Sequence, residues 1–305
     1  MWSKVYRRER RSTRFPFSIK YGDELRGYLF VLPCLLMLVI VLGFPVVTAV
    51  ANSFTPLWSE TKNFTLENYS GLLSDELFWN ALSVTFIFVG GTVFFHLLLG
   101  MVLALTLNWM IKGRSWFQVI AILPWTVPDV VSGLVWRFMY NPTSGIINHI
   151  LMSVGWTDRY IEWLANPSLA LPSVIIADVW RGYPFVMIIL LAGLQAIPED
   201  YYEAAKVNGA NVFQRFYYIT IPCLARIIYI ALALDTIWQM RRFGLIYNMS
   251  MGGPGHVTEI LSLYIYKHYF KYFNFEYASA LAVVMAIIML AISYPYIRMI
   301  ARRET

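Results

Sequence analysis

The sequence predicts an all-α integral membrane protein with six membrane-crossing helices, and three observations lead there. Of its 305 residues, 58% are hydrophobic and 14% charged, with a mean hydropathy of +0.56; soluble domains carry roughly 25% charged residues. The apolar residues stand in long blocks, and a helix needs about 20 of them to cross the ~30 Å hydrocarbon core. Positive charge gathers at the chain ends: Lys4, Arg7, Arg8, Arg10, Arg11, Arg14, Lys20 and Arg26 precede the first block, and Arg298, Arg302 and Arg303 follow the last. The net charge of +6 therefore reports orientation in a bilayer and not a nucleic-acid partner. Binding of these arms to anionic lipid headgroups is a secondary possibility.

The first helix is the apolar run 28–50. It exceeds the ~7–15 residues of a signal-peptide core, no small-x-small cleavage site follows, and Pro33 before Cys34 is wrong for a lipoprotein site, so a retained helix is expected. No charge interrupts 27–59, 77–111 or 277–297, which supply spans one, two and six. Segments near 116–139, 171–195 and 225–247 carry embedded charges and supply spans three, four and five. An even count puts both termini on one side, together with the turn holding Lys112 and Arg114. The loop 51–78 sets Lys62 against Glu60, Glu67, Asp75 and Glu76 and lies opposite. Charge bias thus places both termini, the Lys112 turn and the loop around Glu203 in the cytoplasm. The expected organisation is a basic tail 1–27, a membrane domain 28–300 and a short tail 301–305.

The outer loops fall near 51–78, 140–170 and 248–276, with turn signals at 141–145 and 252–255. Tyr264, Tyr266, Tyr269, Phe270, Tyr272 and Phe273 read as an interfacial belt, or alternatively as a docking surface for an external protein. Cys34 and Cys223 suggest neither disulfide nor metal. The four histidines (96, 149, 256 and 268) are scattered and suggest neither metal nor base. A Gly-x4-Gly-Lys-Ser/Thr phosphate loop, a His-Glu-x-x-His run and a Gly-x-Ser-x-Gly elbow are all missing from the sequence, so an ATPase, a zinc hydrolase or a serine hydrolase is not expected.

The cytoplasmic loop is the most informative stretch. Glu199 and Asp200 suit a helix N-terminus, Ala204 and Ala205 favour helix with little bulk, and Gly209 suits a C-terminal stop. Phe213, Phe216, Tyr217 and Ile221 recur at helical spacing before Pro222. Two short surface helices follow from this pattern, with small residues toward the cytosol. A simple connector between spans would look the same on physical grounds.

The segment Glu203-Ala204-Ala205, then Gly209, Ile219 and Pro222, resembles the "EAA" motif of permease subunits of binding-protein-dependent ABC importers. Ile221 stands where the motif has leucine, and Asn208 where aspartate is common. The stretch 191–198, Asn68-Tyr69, 145–148 and 252–254 look like the carbohydrate-uptake branch. The resemblance covers about 25–300 and implies a type I importer permease fold. It further implies that 199–222 is a cytoplasmic coupling loop seated in a separate ATPase. Implied partners are a homologous second permease, two ABC ATPases that bind ATP and Mg, an extracytoplasmic solute-binding protein, and the lipid of a bacterial inner membrane. The chain itself would then be non-catalytic and without a cofactor.

Ionisable groups at membrane depth are expensive and mark pathways. Asp129, Arg137, Asp178, Arg181, Asp235, Arg241 and Arg242 fall in spans three to five, while spans one, two and six carry no such charge. Pro124, Pro128 and Pro184 permit broken helices. Trp180, Tyr183 and Trp238, within three residues of Arg181 or Arg241, interleave aromatic faces with polar groups as a sugar site does. The candidate pathway is therefore Asp178, Trp180, Arg181, Tyr183, Asp235, Trp238, Arg241 and Arg242. Asp178 and Arg181, three apart, can instead simply pair along one helix face. Arg241 and Arg242 point to different faces, so at most one is expected in the pathway while the other snorkels outward. The resulting expectation is ATP-driven import of an oligosaccharide or related sugar or polyol by alternating access. The alternatives are the same machinery carrying a uronate oligomer or a glycerol phosphodiester, and a self-contained secondary transporter or channel.

Overall fold

Long apolar blocks become long helices because a backbone removed from water has to satisfy its own hydrogen bonds. The computed structural model describes residues 21–56, 63–110 and 112–301, and among these there is no strand. Most of the basic N-terminal tail, Glu60, Lys62, Arg302 and Arg303 lie outside the described residues. The helices are α1 (Tyr21–Leu38), a π-turn (Val39–Gly43), α2 (Phe44–Ser53), α3 (Glu67–Ser74), α4 (Glu76–Trp109), α5 (Arg114–Thr126), α6 (Asp129–Met139) and α7 (Ile146–Ser153). There follow α8 (Pro167–Gln195), α9 (Glu199–Val207), α10 (Val212–Arg215), a π-turn (Phe216–Thr220), α11 (Ile221–Met240), α12 (Gly244–Met249), α13 (Leu261–Tyr266), a π-turn (Lys267–Lys271) and α14 (Phe275–Ala301). Five helical stretches among the described residues are long and apolar enough to cross a membrane, or six if the bent pair α5–α6 is one span.

Two compact units divide at Thr48 and Ala49. In the first, the described side chains from Tyr28 onward are almost all exposed apolar groups, the composition of a helix solvated by lipid. In the second, α8 is the most enclosed span, with 56% of its apolar window buried against 17% for α14. It packs along α4. Small residues allow this close approach: a Cβ at Gly100 of α4 would lie 3.0 Å from the Met187 backbone nitrogen of α8.

Two prolines explain where the helices depart from the sequence expectation. The third span is broken, with α5 and α6 meeting at 93°. The residue before a proline is pushed out of helical conformation, and Val127 is accordingly extended (φ −75°, ψ 127°) ahead of Pro128. Pro124 and Pro184 sit inside α5 and α8 without such a break. The second expected surface helix does not stand apart. Asn211 and Gln214 form a reciprocal capping box that starts α10, and the helix then runs on through the π-turn into α11. Pro222 has no N–H for the usual bond four residues back, and the π-turn shifts the register there, with Ile221 N–H reaching the Phe216 carbonyl. The fifth span also ends earlier than residue 247, at Met240, where Arg241 and Arg242 N–H bond back three residues in a tightened last turn.

Buried polar residues staple the loops. Asn68 donates to the Ser53 and Thr55 carbonyls, and Tyr69 to Ser53 Oγ. Asn148 donates to Pro142 and Ile161 carbonyls and accepts from Trp163 Nε1. Of the aromatic run, Tyr264 is buried while Phe270, Tyr272 and Phe273 are exposed. Asp75 caps α4 through the Leu77 N–H, and its Oδ2 accepts the Tyr264 and Tyr277 hydroxyls at 2.5 and 2.6 Å. Burial pushes this carboxyl up, but the two hydroxyls and the Leu77 and Phe78 amides outweigh it and hold it below the ordinary value. Asp75→Asn is expected to destabilise the protein by about 1–2 kcal/mol. A depressed native pKa means that the stabilisation is present at neutral pH and is lost only as the pH falls through that value. Thermal unfolding of both proteins in detergent should thus show a constant gap from about pH 5 to 8, closing in acid.

Candidate functional site

Three helices far apart in sequence meet around one carboxylate. The bend at Pro128 sets Asp129 on the first turn of α6, and its Oδ1 lies 2.7 Å from Arg181 Nη2 of α8 and 3.1 Å from Arg242 Nη1, just past α11. Arg181 Nε also donates to the Val127 carbonyl freed by the bend. The expected Asp178–Arg181 pair is not formed: each turns to another helix, Arg181 to Asp129 and Asp178 to Arg242, whose Nε lies 2.8 Å from Asp178 Oδ1. That Nε–H is aimed at Gln239 Oε1 (3.0 Å), so Asp178 gains Coulomb attraction without an aligned hydrogen bond. Removing one member of such a buried pair costs about 3–5 kcal/mol.

Behind this layer lies a residue that the sequence reading passed over. His96 of α4 is fully buried, with Nδ1 2.9 Å from Asp235 Oδ2 and Nε2 3.2 Å from the Asp178 carbonyl. Span two therefore does carry an ionisable group in the charged layer. Gln239 completes the set, with Nε2 3.3 Å from Asp235 Oδ1. The overlooked signal was a histidine in the middle of a 34-residue helix whose other charge, Glu76, stands in its first turn.

These groups form one wall of a cavity of about 510 Å³ lined by Trp125, Thr126, Asp129, Arg181, Gly182, Phe185, Asp235, Trp238, Gln239, Arg241 and Arg242. Of the eight candidate pathway residues, Arg181, Asp235, Trp238, Arg241 and Arg242 line it. Asp178 is sealed behind the wall. Trp180 packs edge-on against Trp136, and Tyr183 donates to the Ala121 carbonyl, both away from the lining. The aromatic surface comes instead from Phe185, stacked 6.2 Å from Trp125 and tilted at 40° against Trp238 at 4.4 Å. Both Arg241 and Arg242 line the cavity, where at most one was expected in the pathway, because the helix ends at Met240, before either of them. Arg242 is committed to carboxylates; Arg241 is exposed and has no ion-pair partner among the described residues. A wall combining a flat aromatic face with hydrogen-bonding side chains suits a polar, hydroxyl-rich solute.

The segment of the EAA motif forms a separate feature. Glu203, Ala204 and Ala205 lie on α9, which has no buried residue. Gly209 has φ +80°, and a Cβ there would meet nothing within 4 Å. Its N–H bonds to the Lys206 carbonyl, while that of Ala210 bonds to the Ala205 carbonyl, a Schellman stop. Asn208 donates its side-chain amide back to the Ala204 carbonyl at 2.8 Å. Ile219 lies in the π-turn and Pro222 at the start of α11. Tyr202 bonds Thr220 at 3.0 Å, tying α9 to that turn.

Residues 96–303 match the family model described as binding-protein-dependent transport system inner membrane component. The chain is 36% identical to a trehalose/maltose transport system permease protein, MalF, of Thermococcus litoralis, covering 92% of this chain and 95% of that one. It is 31% identical to a sulfoquinovosyl glycerol transport system permease protein, SmoG, of Agrobacterium fabrum, over 97% of both. Its fold matches a chain of a bacterial ABC transporter involved in the import of the acidic polysaccharide alginate, with a TM-score of 0.82 over 92% of this chain and 96% of that one, at 23% identity. The EAA motif, the apolar helices and these matches together place the chain in the family of binding-protein-dependent transport system inner-membrane components.

Proposed function

We propose that this chain is the permease subunit of an ATP-driven, binding-protein-dependent importer that carries a carbohydrate across the inner membrane by alternating access. The observation that carries this reading is α9, a helix with no buried residue and a stop that leaves open space at Gly209. Such a helix has little to do within its own chain, and the EAA motif on it is the family's. On this reading α9 is the coupling helix on the cytoplasmic side. Glu203, Ala204, Ala205, Asn208 and Gly209 face an ATPase, with Ile219 and Pro222 anchoring the loop. Two ATPases bind ATP and Mg, a second permease completes the pathway, and an extracytoplasmic protein delivers the solute. The sugar-linked relatives and the aromatic face of Trp125, Phe185 and Trp238 support a carbohydrate cargo.

A second reading, an anionic sugar, rests on Arg241, the cavity-lining cation without an ion-pair partner among the described residues. A charge-assisted hydrogen bond from it would contribute about 1.5–3 kcal/mol.

In proteoliposomes holding the assembled complex, Gly209→Glu is expected to leave ATP hydrolysis running while uptake falls about tenfold or more, roughly the effect of losing ~1.4 kcal/mol of coupling. Gly209→Ala, with similar backbone strain of about 1 kcal/mol but less reach, should lose less. Normal uptake by a fully assembled Gly209→Glu complex would remove α9 from this role, and ATP-independent transport by this chain alone would overturn the importer reading. Arg241→Gln is expected to slow uptake of an acidic oligosaccharide about ten- to a hundredfold if the cargo is anionic. Equal rates for variant and parent would favour a neutral sugar.

A further inference from the structure

The buried side of the cavity wall holds one more ionisable group than arginine–aspartate pairing explains. His96 faces Asp235 from α11 through Nδ1, and the Asp178 carbonyl and carboxylate from α8 through Nε2, at 2.9, 3.2 and 3.9 Å. A carbonyl only accepts hydrogen bonds, and so does an ionised carboxylate. Gln239 Nε2 also lies 3.4 Å from Nδ1, a longer approach than that of Asp235 Oδ2. A neutral imidazole has one N–H and one lone pair, so against Asp235 Oδ2 and the Asp178 carbonyl one of its nitrogens would oppose lone pairs; an imidazolium donates to both.

The charge count agrees. Without His96, the ion-paired group has two cations, Arg181 and Arg242, against three anions, Asp129, Asp178 and Asp235; Arg241 lines the same cavity but is exposed and forms no ion pair with them. An uncompensated negative charge inside a membrane bundle is expensive. With His96 protonated, the group is neutral at three against three. The same neutrality would follow from a proton on an aspartate, so the test below distinguishes the two placements. The fold also reserves the position: a Cβ at Gly182 of α8 would collide with the imidazole ring, so the ring sits directly against the α8 backbone. Gln239 turns its amide to Asp235 Oδ1, leaving Oδ2 for the histidine.

We propose that His96 is a resident imidazolium, a positioning residue whose charge sits between Asp178 and Asp235 and balances the ion-paired layer behind the cavity. Arg181 and Arg242 are thereby committed to the wall, and Arg241 is left to set the charge that a solute meets. This inference does not depend on which solute is carried, or on the ATPase partnership.

The full chain, labelled with ¹⁵N-histidine and assembled with its partner subunits in lipid bilayers, is examined by solid-state NMR at neutral pH. The His96 signals are assigned by their loss in His96→Gln. Two protonated ring nitrogens are expected; one protonated and one bare nitrogen would overturn the proposal and put the proton on a carboxylate. A neutral histidine that only packs gives the one-protonated pattern, and a second measurement addresses the role of the charge. His96→Gln is expected to lower the unfolding midpoint of the complex by about 5–15 °C. His96→Gln combined with Asp235→Asn, which removes one charge of each sign, is expected to recover at least half of that loss, or to assemble where the single variant does not. A double variant no better than His96→Gln alone would reject charge balance as the role of His96.

Discussion

Asp129 accepts Arg181 and Arg242 together, and through that carboxylate α6, α8 and the end of α11 are held at one point. In a bilayer the hydrophobic effect gives helices little reason to prefer one another, so small-residue packing and polar contacts decide which faces meet. Here the two act on the same helices. Gly100 and Gly182 let α4 and α8 approach closely, and the approach brings His96 and Asp178 within reach of Asp235 and Arg242. Neither half would suffice, since the charges need the proximity and the proximity would be intolerable for unpaired charges.

The cavity and α9 are joined by continuous backbone on both sides. α8 contributes Arg181 and Phe185 to the cavity and then leads through Pro198 into α9. The helical run Val212–Met240 begins just beyond α9 and ends at Trp238 and Gln239 in the cavity wall. At 1.5 Å per residue, such a run reaches roughly 43 Å. A partner that moved α9 would therefore act on the two helices that carry most of the wall, which is the geometry that the proposed importer reading needs.

Much of the architecture was legible in the sequence because span length and charge spacing are local properties. The apolar blocks marked most helices to within a few residues, the fifth span excepted because its run starts at Val212 and stops at Met240, and the Glu203–Pro222 spacing marked the loop that forms α9 and the π-turn. What escaped was long-range. Asp178 and Arg181 are neighbours on one helix, so spacing suggested their pairing, yet each finds its partner on another helix. His96 and Asp235 are 139 residues apart, a relation that no window on one helix contains. Asn68, Asn148 and the 252–254 turn stood out in the sequence without a stated role, and two of them prove to be buried loop staples. The Pro128 break and the π-turn before Pro222 follow from proline's missing donor and restricted neighbour, but which of several prolines breaks its helix is decided by packing.

The 93° bend at Val127–Pro128 has a further consequence. One short stretch supplies both groups that hold Arg181, the Val127 carbonyl and the Asp129 carboxylate, and the latter also holds Arg242. Backbone shape and surface charge are thus a single variable at this corner. Straightening or swinging α6 about the bend would withdraw one anion from two arginines in the same motion. The cavity would then become more positive as it changed form, with no proton and no ion needed from outside.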